Sequence, residues 1–150
     1  MNAMTSHDLS EVITVAAAPE AVFAAVNNVR GWWSGQIDGT SAAVGDSFTY
    51  RYKDMHQSRQ EVIELVPGKR VAWKVTDSHL SFLEHKAEWT GTTITFELSS
   101  RGEGTELRFT HHGVNPASEC WDACSSGWSG LIRGNLKTLI DTGRTSPAPF

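Results

Sequence analysis

The chain has 150 residues, with 13 Lys and Arg against 17 Asp and Glu, for a formal charge of −4. That length suits one domain spanning 1–150, able to bury about two-thirds of its unfolded surface. The acidic balance, with no basic stripe, excludes a phosphate-tracking surface and so a nucleic-acid partner. An apolar content of 39% excludes a disordered chain and gives no sign of membrane insertion.

The opening MNAMTSHDLS has neither a basic n-region nor an apolar h-region, and residues up to about Ser10 read as a loose terminus. Residues 11–16 (EVITVA) alternate and predict the first strand. Ala18-Pro19-Glu20 opens a short helix, PEAVFAAVNN, with Val22, Phe23 and Val26 at helical spacing. Residues 30–35 (RGWWSG) predict a second short helix or tight turn, with one of Trp32 and Trp33 packed inward and the other partly exposed. Residues 39–45 are a loop of small residues.

From there the period becomes two. Residues 47–53 (SFTYRYK) put Phe48, Tyr50 and Tyr52 on one face. Residues 58–66 form the next strand, ended by Pro67-Gly68. Its facing is ambiguous because Val62, Ile63, Leu65 and Val66 do not alternate, which leaves room for a bulge. Residues 70–76 align Val71, Trp73 and Val75; residues 77–89 are irregular and held to the body by Leu80, Phe82 and Leu83. Residues 92–99 and 105–112 form a hairpin around Arg101-Gly102-Glu103-Gly104, with Leu107, Phe109 and His111 sharing a face.

Residues 115–143 then predict a long amphipathic helix. Asn115 suits its N-cap, Pro116 its first position and Gly143 the left-handed residue after its end. Cys120, Trp121, Cys124, Trp128, Leu131, Ile132, Leu136 and Leu139 make the apolar face. Gly127, Gly130 and Gly134 form a second stripe, explained by close approach to the sheet or to a second chain, or by room left for a ligand. Half-buried alternation gives the sheet one covered and one wet face, and only this helix is long enough to cover it. The ordered core is expected over about 10–143.

Four stretches together carry a family likeness: APEAVFAAVNNVRGWWSG at 18–35, EWTGTTITFEL at 88–98, TELRFTHHGV at 105–114, and ECWDACSSGW with the following helix from 119. On these the chain resembles the START-like helix-grip (SRPBCC) superfamily, in the branch named after the activator of heat-shock protein 90 ATPase. The resemblance implies an α+β helix-grip fold: a curved antiparallel six-stranded sheet around a long C-terminal helix, with two short helices after the first strand. It also implies several functions, since the superfamily hosts lipid and hormone binders, cyclases, dehalogenation-type enzymes and co-chaperone modules. A chaperone contact is implied by the resemblance alone.

Six tryptophans in a small domain point to a roomy, aromatic-lined interior or an aromatic interface. The expected function is therefore binding of a small hydrophobic or aromatic molecule between sheet and helix. The candidate ligand-binding residues are Trp32, Trp33, Tyr50, Tyr52, Trp73, His111, Trp128 and Asn135. Each ring taken alone is equally explained by core packing. His111 matches the histidine of the family's H-x-G element. It either holds a polar ligand head, acts as acid or base in an alternative cyclase- or hydrolase-type activity, or is a core histidine satisfied by its neighbours. Asn135 lies on the apolar helix face, where a buried amide needs partners. Arg59 reads as a surface arginine unless its strand turns it inward. Cys120 and Cys124 fit no standard zinc spacing and make a poor disulfide framework, so they are expected as reduced, buried thiols in a cytoplasmic protein with no metal and no cofactor. The glycine stripe and exposed rings keep a homodimer open.

Overall fold

The computed structural model describes residues 8–33 and 35–144. The expected loose ends, with Pro147 and Pro149, lie largely outside these residues. Seven strands form one antiparallel sheet: β1 (Leu9–Val15), β2 (Gln36–Gly39), β3 (Ser47–Tyr52), β4 (His56–Val66), β5 (Arg70–Leu80), β6 (Thr93–Arg101) and β7 (Gly104–His112), in the order β1-β7-β6-β5-β4-β3-β2. This is one strand more than the six predicted. The extra strand, β2, reads QIDG, too short and polar to show a period, and it forms by pairing Gln36 with Arg51 through Gly39 with Phe48 on β3. The ordered chain also begins earlier than expected, because Leu9 is already buried and registered against His111.

The ambiguous facing of β4 resolves into two register shifts. Val62 faces Trp73 but Glu64 faces Ala72, so Ile63 is the extra residue and is 43% exposed. Nearer the other end Arg59 faces Asp77 while Gln60 faces Val75, which leaves Thr76 as an extra residue on β5. One added residue inverts every side chain beyond it. The inward set of β5 therefore changes from Val71, Trp73 and Val75 to Ser78 and Leu80, all buried. This inversion is why β5 runs to Leu80 and not to the predicted Thr76.

After β1, α1 (Pro19–Asn27) starts with proline in its first turn and buries Val22 and Val26. The short helix or tight turn predicted over 30–35 is a 3₁₀ turn, Val29–Gly31. At Gly31 a Cβ would come within 2.8 Å of a Leu139 methyl and of the Asn28 amide, so a larger residue would have to displace those two side-chain ends. Both tryptophans that follow are buried, Trp32 at 0% and Trp33 at 3% exposure, so neither is the partly exposed ring expected.

The C-terminal helix begins five residues later than predicted, at Trp121 instead of Pro116. It runs as α2 (Trp121–Ser129), a π-helical stretch Gly130–Leu136, and α3 (Lys137–Thr142). Asn115 is not its cap: its Oδ1 accepts the Ala117 N–H at 2.9 Å and holds a separate turn. The local amide bond competes with helix, as short polar side chains do. In the π-helical stretch the Lys137 N–H reaches back to Ile132. The C-terminal end is as predicted: Gly143 adopts φ 73° and donates to the Leu139 carbonyl at 2.8 Å. Gly130 and Gly134 face open space, with nothing within 4 Å of a built Cβ, so close approach to the sheet does not explain them.

The delayed start also changes the cysteines. Cys120 sits at the helix cap, its Cα 5.5 Å from that of Cys124, and the two sulfurs are bonded as a disulfide. Two thiols inside one straight helix would point the same way, but a cap residue is free to turn back, and the separation lies within the range a disulfide spans. The expectation of reduced thiols is corrected accordingly. The helix is tied at its middle to β1, where Arg133 Nε meets Glu11 Oε1 at 2.6 Å, and to the end of the 3₁₀ turn, where Asn135 Nδ2 donates to the Trp32 carbonyl at 3.0 Å.

Candidate functional site

The concave face of the sheet and the C-terminal helix do not close on each other everywhere. Between them lies a cavity of about 270 Å³. Its strand wall is Tyr50 and Tyr52 from β3 and His56 from β4; its helix wall is Cys124, Gly127, Trp128 and Leu131; the buried Trp33 and Trp89 complete the lining. Met55 and Phe82, 47% and 45% exposed, form the rim, and the buried Leu80 also lines the cavity. Here helix and strands are held apart by rings, and Gly127 presents no side chain to fill the gap.

Ring-on-ring contacts fix the walls. Trp33 lies edge-on to Tyr50 at 4.7 Å between centroids and to Trp128 at 5.5 Å. Trp89 stacks parallel to Trp128 at 5.9 Å, and the imidazoles of His56 and His111 flank it at 4.6 and 4.7 Å. Edge-to-face and offset geometries of this kind suit the aromatic quadrupole and contribute roughly 0.5–1.5 kcal/mol per pair beyond area burial. Trp89 also donates its indole N–H to Cys124 Sγ at 3.2 Å.

Trp89 sits on the irregular stretch between β5 and β6, and two carboxylates fasten that stretch to the start of α2. Glu88 accepts the backbone N–H groups of Glu119 (2.8 Å) and Cys120 (3.0 Å), at the helix N-terminus where anions are favoured. In return Glu119 accepts the N–H groups of Glu84 (2.6 Å) and His85 (2.9 Å). Those backbone bonds hold the Glu119 carboxyl below its ordinary range.

His111 is fully buried and does not line the cavity. The Trp128 indole N–H, which can only donate, points at His111 Nδ1 (3.2 Å), so Nδ1 is the acceptor and Nε2 carries the proton. Nε2 donates to Thr92 Oγ1 (2.8 Å), which donates to the Trp89 carbonyl (2.5 Å). The ring thus joins two cavity walls, Trp128 and Trp89. Burial, then repulsion from His112 and His56, lowers its pKa to about 3. His56 bonds through Nε2 to Ser58 Oγ (3.0 Å), and burial lowers its pKa to about 4. Both imidazoles are neutral near pH 7.

Of the eight residues singled out in the sequence, the structure brings Trp33, Tyr50, Tyr52 and Trp128 to the cavity. Trp32 donates its indole N–H to the Val26 carbonyl at 3.2 Å and lies in the core; Trp73 is wholly buried; Asn135 holds the Trp32 carbonyl; His111 lies behind the wall. Arg59 is exposed. His56, Trp89, Met55 and Phe82 were not singled out. Strand parity could have found His56, which alternates with Ser58 and Gln60. Trp89 sits in a stretch with no period, so alternation could not place it, and it stood out only as part of the family-like stretch at 88–98. Among the described residues no group of three or more His, Cys, Asp or Glu could hold a metal ion, and no helix is long and apolar enough to cross a membrane.

Comparison with known families places the chain. Residues 16–141 match the family described as Activator of Hsp90 ATPase homolog 1-like protein. The chain belongs to that family. The solution structure of the Aha1 dimer from Colwellia psychrerythraea is similar at 25% identity and a TM-score of 0.72, over 91% of this chain and 97% of that one. A crystal structure of a Chromobacterium violaceum protein matches at 18% identity and a TM-score of 0.68, over 90% and 97% of the two chains. A protein of the dynemicin biosynthetic locus matches at 18% and 0.67, covering 94% of this chain and 49% of that one. The last two likenesses show the shared helix-grip fold. A comparison with curated proteins gives no match.

Proposed function

We propose that this Activator of Hsp90 ATPase homolog 1-like protein binds a small, uncharged hydrophobic or aromatic molecule between its sheet and its C-terminal helix. The observation that carries the reading is the 270 Å³ cavity, walled by Trp33, Tyr50, Trp89 and Trp128 and reached past Met55 and Phe82. Protein interiors pack with few voids larger than a water molecule, so a space of this size among large rings is a site in search of an occupant. Among the described residues no Lys, Arg, Asp or Glu lines it. His56 is neutral near pH 7, so a charged ligand would lose its hydration without gaining a counter-ion. The family's helix-grip fold, which encloses such molecules in other members, supports the same reading.

Titration with a panel of uncharged fused-ring lipophiles, followed by tryptophan quenching and native mass spectrometry, tests the proposal. It predicts saturable quenching with one molecule per chain, and weaker binding of carboxylates of equal size. No quenching by any member of the panel would end it.

A co-chaperone role is a second reading, favoured by the family description and by likeness to the Colwellia protein. ATPase stimulation of a purified heat-shock protein 90 tests it, and no stimulation at excess would remove it. Because that relative is a dimer, self-association belongs to the same reading, and light scattering should then give a mass near twice 16.4 kDa. A cytoplasmic setting is also part of the proposal. Disulfides are rare in such compartments, so the Cys120–Cys124 bond of the structure has to be reduced there, and finding it intact in acid-trapped cells would contradict the setting. An acid–base role for His111 has less support, since Thr92 and Trp128 engage both ring nitrogens.

A further inference from the structure

The inward row of β4 is unusual for a core strand. Between His56 at the cavity and Val62 come Ser58 and Gln60, both with 0% exposure. Ser58 is bonded to His56, but neither Nε2 nor Oε1 of the Gln60 amide has a hydrogen-bond partner. Two more buried groups nearby share this condition, the indole N–H groups of Trp33 and Trp73. All three belong to one cluster. Gln60 lies in register between Phe48 on β3 and Val75 on β5. The Phe48 and Trp73 rings meet at 5.0 Å, and Trp33 covers both at 5.7 and 5.9 Å. Trp33 also lines the cavity, so these orphan groups gather just behind one of its walls.

Leaving a buried donor or acceptor unpaired is unfavourable enough that native cores rarely do so, and here four polar atoms do. Three of the four are N–H donors and one is an amide oxygen, a set that fits a ligand acceptor. Among the described residues no Lys or Arg is buried, so a carboxylate here would lack its counter-charge.

We propose that Gln60, with the indole N–H groups of Trp33 and Trp73, forms an inner hydrogen-bonding subsite for an uncharged carbonyl at the leading end of the ligand. This deepens, and rests on, the cavity reading. The ligand's apolar body lies among Tyr50, Trp89 and Trp128, and its carbonyl reaches past Trp33, whose ring turns aside to let it meet the Gln60 amide. Gln60 is a specificity residue: it selects a ketone, ester or amide over a hydrocarbon of equal shape.

The test uses a matched pair, 2-acetylnaphthalene and 2-isopropenylnaphthalene, which differ in C=O against C=CH₂. Calorimetric affinities are measured for the wild-type protein and for Gln60→Met, a near-isosteric change that removes only unpaired polar atoms and should not lower the melting temperature. The substitution should weaken the ketone about tenfold and leave the alkene unchanged, as expected for one hydrogen bond in a dry site. Comparing the two ratios cancels the different hydration of the probes. Equal changes for both probes, as would follow if Gln60 were satisfied by a buried water, would overturn the subsite while leaving the cavity reading intact. Binding of neither probe by the wild type would remove both. A second measurement needs no variant. The C=O stretch of the bound ketone should fall below its value in hexane, and a hexane-like frequency would overturn the subsite.

Discussion

His111 shows how a residue that draws attention as chemistry serves as structure. Its tautomer is dictated by a partner that can only donate, Trp128, and its other nitrogen is committed to Thr92. Together with His56 it makes stability depend on pH. Both folded-state pKa values are depressed, to about 3 and about 4, from an ordinary 6.5. As pH falls below 6.5 the unfolded chain takes up protons at these sites and the folded chain does not. Stability should therefore be intact above about 6.5, fall by roughly 1.4 kcal/mol per pH unit for each imidazole, and level for each only as its folded pKa is passed. Urea unfolding at pH 7.5, 6.5 and 5.5 reads this, and His56→Gln should remove one of the two contributions. A wild-type slope below pH 6.5 that His56→Gln leaves unchanged would show that His56 is solvated in the folded protein.

Elements place the walls, and the least regular element places the ring that matters most. Trp89 rides on the stretch between β5 and β6, which Glu88 fastens to the first turn of α2. Glu88→Ala should cost about 1 kcal/mol, comparable to losing an N-cap. It should also weaken ligand binding by loosening Trp89 where it stacks on Trp128. Thermal melts and probe titrations on the variant check both effects, and unaltered affinity would mean that Trp89 holds its place without the clamp. Much of this scale was legible in the sequence. Period-two alternation gave β3, β6 and β7, and Pro19 and Gly143 marked helix ends at their observed positions. The start of α2 was not legible, because Asn115-Pro116 has the chemistry of a helix cap but spends it on a turn of its own. Nor was the inversion of β5, since an extra residue at Thr76 is decided by pairing with Arg59 and Gln60 across the sheet and leaves no mark on β5 alone.

At the scale of the whole molecule, a curved antiparallel sheet covered by a single helix follows from the alternation and from the one long amphipathic segment. The space between them is harder to read. Trp33, Tyr50, Tyr52 and Trp128 carry the same sequence signal as Trp32 and Trp73, which are core, because parity tells only which rings point inward. Which of them border empty volume depends on how far the rings prop the helix from the sheet and on Gly127 leaving the gap unfilled. Gly127→Leu tests that claim most directly, since it places a branched side chain in the cavity from a helix position where leucine is the better helix former. Calorimetric titration with 2-acetylnaphthalene should give saturable one-to-one binding to the wild-type protein and at least a tenfold loss in Gly127→Leu at an unchanged or higher melting temperature. Equal affinity in the two proteins would mean that the ligand binds elsewhere and that the space beneath the helix is not the site.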